Sequence, residues 1–481
     1  MNLLILSLGF ASLCSCLLPQ HQQQRFLVEF RGLYESFRVA ELEDSISYHL
    51  STTPTVAGAM VSGIDWVVRD TNFEGQPACG WLSFPNATIA CAVANRCGSL
   101  RSIVKVWGEG RSPLEVCASI MGNFDATARS AFPEALTQDQ RDANSWKIHF
   151  RRFGRVGRSG MDPEAKREFL ASFSPVLKSL HGDVNLTRPA KQLLYLEDWV
   201  SFHTDHTRSP TDALESFKPR KALFGQVVAE GCEVQTVFDL RKRPFLGTTT
   251  MAPLPAHFTA VAARVGEGDT LLDPFCGTGS ILIAAAHLGA RVVGSDIDGD
   301  CLGLGEDRVS KNSRFKRYGM LNANNKKQSW REQIGLSTVD NFRFYGLENR
   351  LVGLVGKDVK DLLDEAALPI DKFDAIATDP PYNRREKVLG VEADGGGEDS
   401  PTAANSVVST LFQVARARLK RGGRLVFWYP SDAFVSEASV VEELRVCLER
   451  AGPGAPLELQ RLMPEKLHDK LWRWLVVYTV R

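Results

Sequence analysis

The chain has no excess of either charge: 57 lysines and arginines stand against 57 aspartates and glutamates in 481 residues, a formal net charge of zero. That balance excludes a uniformly basic protein that holds nucleic acid by bulk electrostatics, so any anionic partner must be gripped by local clusters. Metal-binding patterns are also missing. The ten cysteines include no Cys-x-x-Cys pair and no cysteine–histidine spacing of a zinc module, and they read as reduced thiols, mostly in cores. His203-Thr-Asp-His206 offers three ligand types without a partner cluster and reads as a surface loop, so no metal site is expected. Long hydrophobic runs are absent apart from MNLLILSLGFASLCSCLLPQ at the start, which lacks the basic region of a signal peptide and is too short for a confident span. Residues 1–24 are read as an apolar leader, and a cytoplasmic protein is expected unless that leader targets an organelle. There are no internal repeats, and the low-complexity content is confined to the Gly-rich EADGGGEDSP at 392–401.

What is present is a soluble globular composition, 44% hydrophobic and 24% charged, in a chain long enough for two or three domains. RFLVEF (25–30) reads as a strand and VAELEDSISYHL as an amphipathic helix; WLSF, NATIACAVANR, SIVKVWG and SPLEVCASIMGNF then alternate strand and helix. SWKIHFRRFG (145–154) opens a second group, followed by the helix DPEAKREFLASF. Two small α+β units are expected, over 25–140 and 141–235, with polar connecting stretches at 182–191 and 203–220. From Thr270 the strands become almost continuously apolar, as in a parallel sheet covered on both faces: TLLD, RVVGSD, LVGLVG, FDAIAT and GRLVFWY. LELQRLM and LWRWLVVYTV add two strands, antiparallel at one edge. The fold class expected for 236–481 is therefore α/β with a mostly parallel seven-stranded sheet.

Two turns carry chemistry. LLDPFCGTGS (271–280) is strand, glycine turn and helix start: Gly277 and Gly279 let backbone approach a ligand, and the helix amides face it. The pattern alone fits nicotinamide or flavin cofactors, nucleotides or S-adenosylmethionine. Asp296 ends the next strand, where a carboxylate can hold ribose hydroxyls. Asp273, followed by Pro274, would repel a pyrophosphate and suit a cationic amino-acid group, which favours S-adenosylmethionine. Phe275 either packs beside the cofactor or fills the core; Asp298 and Asp358 complete the candidate cofactor set, Asp358 either as an acceptor for the adenine amine or as an exposed acid.

The second turn is TDPPYN (378–383). Pro380 and Pro381 contribute no N–H donors, so the loop presents acceptors to a ligand that donates. Asp379 and the Pro380 carbonyl can each take a hydrogen from an exocyclic NH₂, freeing its lone pair, while Tyr382 holds the ring by stacking. The candidate catalytic residues are thus Asp379, Pro380, Pro381 and Tyr382. Candidate RNA contacts come from two of three basic clusters: Arg151, Arg152 and Arg155 in RRFGRVGR, and Arg384 and Arg385 after the acceptor loop. The third cluster, Arg241, Lys242 and Arg243, reads as solvated surface.

The series RFLVEFRGLYESFRVAELEDS, SIVKVWGEGRSPLE, KALFGQVVAEG, RKRPFLGTTTM, DPFCGTGS, VVGSDID, NFRFYGLENRLVGLVGKD and ATDPPYNRRE resembles, in order and over nearly the whole chain after the leader, the THUMP-containing tRNA (guanine-N2-)-methyltransferases. The resemblance implies a class I, Rossmann-like methyltransferase domain over 236–481 preceded by an α+β, ferredoxin-like domain and a THUMP RNA-binding region. It implies S-adenosylmethionine at Asp273, Gly277, Gly279, Asp296 and Asp358, a guanine amine at Asp379, Pro380 and Tyr382, and tRNA as substrate, modified at a position-ten-type guanosine. A small zinc-binding activator subunit is the implied partner. Departures are the leader, the Gly-rich insertion and Cys276, where valine is common in the family. The competing readings are an adenine-N6 or cytosine-N4 methyltransferase acting on DNA or rRNA, an idle RNA-binding scaffold, and an NAD-dependent oxidoreductase.

Overall fold

The computed structural model describes residues 24–32, 34–52, 65–68, 78–84, 86–122, 131–132, 137–153, 163–199, 219–247, 249–304, 336–381, 401–431, 435–468 and 471–481. The leader up to residue 23, Arg155, the His203–His206 segment, Tyr382, Arg384, Arg385 and most of the Gly-rich insertion lie outside them. The chain packs as two compact units, one from residues up to Glu35 with His49–Cys232, the other from Ser36–Tyr48 with Glu233–Arg481.

The first unit is built on one seven-stranded sheet: β1 (Gln24–Phe30), β2 (Asp65–Val68), β3 (Cys79–Phe84), β4 (Leu100–Gly110), β5 (Trp146–Phe153), β6 (Lys191–Asp198) and β7 (Lys221–Glu230). Its order is β2-β3-β1-β4-β7-β6-β5, with β5 and β6 parallel and the other pairs antiparallel. Period-2 alternation sends Leu193, Tyr195 and Phe224 into a core with the helices Pro113–Gly122 and Pro163–Ser172; the rings of Phe169 and Phe173 stack there at 4.1 Å. The two stretches expected as separate α+β groups share this sheet because β7 pairs along β4. Gly225 permits that approach: a Cβ there would stand 2.3 Å from the Lys105 carbonyl oxygen.

The second unit holds β8 (Thr270–Asp273), β9 (Arg291–Asp296), β10 (Leu351–Gly356), β11 (Phe373–Thr378), β12 (Leu419–Ser431), β13 (Leu457–His468) and β14 (Leu471–Val480). The order is β10-β9-β8-β11-β12-β14-β13, parallel from β10 to β12, with the terminal hairpin antiparallel at one edge. This is the class I methyltransferase architecture, and all seven strands fall on the segments expected from sequence. Leu272, Ile376, Phe412, Phe427 and Leu444 join one core beneath the helices Pro401–Arg418 and Glu437–Arg450, which explains why these strands are apolar almost throughout. Chain order reverses between β8 and β11, so the turns following these two neighbouring strands flank one crevice at the carboxyl edge.

Ser36–Tyr48, the beginning of the first long helix, packs with this second unit. The Phe37 ring stacks on Phe258 at 5.1 Å and lies 5.8 Å from Trp428. Glu41 stands 3.6 Å from His257, and Asp44 meets Arg264, Arg424 and Arg461. An early segment of the chain therefore contributes side chains to the second unit.

Candidate functional site

The turn after β8 is shaped by its glycines. Gly279 adopts φ +80° just before the helix Ser280–His287, and a Cβ there would come within 2.8 Å of Thr338 Cγ2, so both backbone and space demand glycine. The Thr338 hydroxyl donates to the Gly277 carbonyl at 2.8 Å, and the Gly277 amide donates to Asp296 Oδ2 at 2.8 Å. Asp296 Oδ1 accepts from the Asp298 amide at 3.0 Å, which fixes the carboxylate at the end of β9 facing the glycine turn.

Asp273, at the end of β8, is 2% exposed. Its Oδ1 accepts from the Thr378 hydroxyl at 2.6 Å and from the Phe275 amide at 3.1 Å. Thr378 ends β11 and immediately precedes Asp379, so one hydrogen bond ties the glycine turn to the acceptor turn. Asp379 is half-buried, with Arg473 Nη1 3.5 Å from its Oδ2; Pro380 is buried and Pro381 half-buried beside it. Burial pushes the Asp273 carboxyl upward and the charges of Asp296 and Asp379 add to it, an acidic surround that a cation would relieve.

The remaining candidates take local roles. Asp298 caps the helix Gly299–Leu302, accepting from the amides of Asp300 and Cys301. Asp358 caps the turn Val359–Leu363 at the end of β10, accepting from the Lys360 amide at 3.0 Å. Phe275 packs partly buried against the core cluster. Among the described residues no group of three or more His, Cys, Asp or Glu side chains is arranged to hold a metal.

The methyltransferase domain described as RMKL-like matches residues 241–452. The tRNA (guanine(10)-N(2))-methyltransferase TRMT11 of Mus musculus is 30% identical over 371 residues, 73% of this chain and 70% of that protein. The human TRMT11 matches at 30% over 373 residues, with 73% and 70% covered. The tRNA (guanine(10)-N(2))-methyltransferase of Saccharomyces cerevisiae is 26% identical over 341 residues, 69% of this chain and 70% of that one. This chain belongs to the tRNA (guanine(10)-N(2))-methyltransferase family. Among solved structures, the crystal structure of TrmN from Thermus thermophilus matches with 15% identity and a TM-score of 0.44, covering 95% of this chain and 100% of that one.

A cationic ligand of this crevice would meet Asp273, whose charge state decides how strongly such a ligand is held. Burial pushes its carboxyl up from 3.8 to about 7, against the lowering by its two donors. The native state keeps this proton to about pH 7 while the unfolded chain releases it near its ordinary value of 3.8. The group's contribution to stability therefore falls as pH rises between those two values and is constant above. A ligand carrying an ammonium binds the ionised form and gains affinity over the upper part of that range. Calorimetry with S-adenosylhomocysteine should find binding about tenfold tighter near pH 8 than near pH 6. Asp273→Asn should lose this dependence; a parent enzyme with pH-independent affinity would refute the assignment.

Several side chains around these two turns escaped the sequence reading. Thr378 had only its place before Asp379 as a signal, and Arg473 had none. Arg243, taken with its neighbours as solvated surface, is 1% exposed; its Nη1 donates to the Ser280 hydroxyl at 2.6 Å and its guanidinium lies 5.7 Å from the Tyr345 ring centre. The flanking Pro244 and Phe245 were the available hint. The candidate RNA contact Arg152 needs correction as well. Its Nε meets Glu197 at 2.7 Å with both side chains almost fully buried, and it lies against the Trp199 ring at 5.5 Å, so this charge is committed inside the methyltransferase's first unit. Arg151 remains partly exposed but shares the buried Glu29 with Arg101.

Proposed function

We propose that the second unit transfers a methyl group from S-adenosylmethionine to the exocyclic N2 amine of a guanosine in tRNA, of the position-ten type named for the relatives. The observation that carries this reading is the Thr378–Asp273 hydrogen bond, which joins cofactor turn and acceptor turn at one crevice. The residues fit the cofactor: Asp273 is a buried carboxyl in an acidic surround that a cationic group would neutralise, and the turn at Gly279 has no room for a side chain. S-adenosylmethionine, when bound, supplies an electrophilic methyl on a sulfonium.

In this reading Asp273 takes the ammonium of the methionine moiety, Asp296 the ribose, and the glycine turn brings backbone close to both. Asp379 and the Pro380 carbonyl accept the two hydrogens of the guanine amine. That withdraws its lone pair from the ring, aims it at the methyl, and stabilises the positive charge that grows on nitrogen. Pro381 stiffens the turn, and Tyr382 holds the base by stacking. The amine loses its proton after transfer, so no strong base is needed. A base within a helix cannot enter such a crevice, and the guanosine must be unstacked first.

The finer calls belong here too. The first unit, residues 25–235, supplies the tRNA grip as a THUMP-containing region, supported by the resemblance of its segments to that family. Arg151, Arg155, Arg384 and Arg385 are offered as phosphate contacts. The resemblance also supports a small zinc-binding activator subunit. A cytoplasmic location is offered, with organelle targeting by the apolar leader as the alternative. Among the described residues no helix is long and apolar enough to cross a membrane.

The deciding experiment supplies tritiated S-adenosylmethionine and total tRNA, then digests to nucleosides. Label in N2-methylguanosine supports the reading; label only in N6-methyladenosine or N4-methylcytidine overturns it.

A further inference from the structure

Asp379 is held from outside its own loop. Arg473 lies on β14, directly opposite Glu465 on β13 and opposite Pro430 on β12. Its Nε donates to Glu465 Oε2 at 2.5 Å, its guanidinium lies 4.0 Å over the Trp428 ring, and its Nη1 stands 3.5 Å from Asp379 Oδ2. The side chain thus crosses β12, lying on Trp428, to reach the end of β11. All three side chains are buried: Arg473 is 8% exposed, Glu465 9% and Trp428 0%. The Trp428 indole is pinned in turn, donating to the Thr259 hydroxyl at 2.9 Å.

A chain of packed groups that ends on the acceptor carboxylate does more than fill space. A lone aspartate after a strand can rotate about its side-chain torsions, and each orientation presents a different oxygen to the crevice. A guanidinium fixed by its Nε hydrogen bond to Glu465 and by the indole face restricts that rotation. The charge balance also matters. Arginine alone would cancel the negative charge that the reaction needs, but Glu465 restores it, so the Glu465–Arg473–Asp379 set keeps a net charge of minus one beside the amine.

We propose that Arg473 is a positioning residue for methyl transfer: it sets the orientation of the Asp379 carboxylate toward the acceptor amine, with Glu465 and Trp428 holding it in register. The inference rests on the assignment of Asp379 as the amine acceptor.

The test uses the full-length chain, with Arg473→Gln, Arg473→Lys and Asp379→Asn measured side by side. Arg473→Gln should lower kcat about 100-fold while KM for tRNA and the dissociation constant of S-adenosylhomocysteine stay within about threefold, since a displacement of the order of 1 Å is enough. Arg473→Lys keeps the charge but not the planar guanidinium and should recover part of the loss. If Arg473→Gln fails to fold, the lysine variant alone decides: kcat about tenfold down with unchanged cofactor affinity supports the proposal, and parental kcat overturns it. Parental kcat in Arg473→Gln also overturns it, as does a kcat loss that comes with lost cofactor binding and no rescue by lysine. An active Asp379→Asn would instead bring down the assignment beneath it, which separates the two failures.

Discussion

Asp379→Asn should reduce kcat by about 1,000-fold or more and leave S-adenosylhomocysteine affinity within about twofold of the parent. Asparagine has the shape of aspartate, so Pro380, Pro381 and the strand end need not move. What changes is the chemistry offered to the amine. Aspartate presents only acceptors, whereas asparagine exchanges one oxygen for an NH₂ that confronts the amine donor to donor. The negative charge that meets the growing cation is lost as well, and Arg473, 3.5 Å away, no longer has an opposite charge at that position. Each of these acts in the transition state more than in the ground state, so the loss should fall on kcat. In the proposed reading cofactor affinity is set at Asp273 and the glycine turn, which the substitution leaves in place. Single-turnover label transfer to tRNA, with calorimetry on the same preparation, checks both halves. A variant that methylates at more than about a tenth of the parental rate would remove Asp379 from the chemistry.

The parts of this site that could be read from sequence are those that a few consecutive residues define. Asp273-Pro-Phe-Cys-Gly-Thr-Gly and Asp379-Pro-Pro are such segments, and the apolar runs around them told of strands buried on both faces. The order of those strands in the sheet, which reverses between β8 and β11, was not legible. What could not be read is pairing at a distance. Arg473 and Asp379 carry no mark of one another, and Glu465 looks like any polar residue of a hairpin. RRFGRVGR offered several arginines with nothing to say which would face phosphate; Arg152 faces Glu197, 45 positions on, because β5 and β6 are parallel neighbours. Strand β6 was hidden between polar stretches, and β7 appeared only as a segment of family resemblance, since a strand containing Gly225 declares itself only when β4 is beside it.

The first helix makes the same point with a larger energetic consequence. VAELEDSISYHL reads as an amphipathic surface helix, yet Asp44 is almost fully buried and gathers three guanidinium groups of the catalytic unit. Its Oδ1 accepts from Arg264 Nε at 2.8 Å and Arg424 Nη1 at 3.2 Å, and its Oδ2 from Arg461 Nη1 at 3.0 Å. Burial pushes the Arg424 guanidinium below its ordinary value, and the charge of Asp44 is the largest influence pulling it back. Asp44→Ala removes the shared counter-charge and leaves like charges facing one another. Losing one partner of a buried pair costs 3–5 kcal/mol; because Arg264 and Arg461 are partly exposed, the lower end applies, about 3 kcal/mol. The turn Glu35–Phe37 that leads into the helix carries Phe37, so loosening the helix would withdraw support from Trp428 and, through it, from Arg473 and Asp379. Urea unfolding followed by S-adenosylhomocysteine protection should show the loss in the catalytic unit. Arg461 also pairs with Glu43, and removing it in the Asp44→Ala background should cost less than removing it from the parent, because the repulsion it relieves offsets the pair it breaks. A stability change below about 1 kcal/mol for Asp44→Ala would mean that water or Glu43 satisfies the arginines, and that the early helix is a passenger on the catalytic unit.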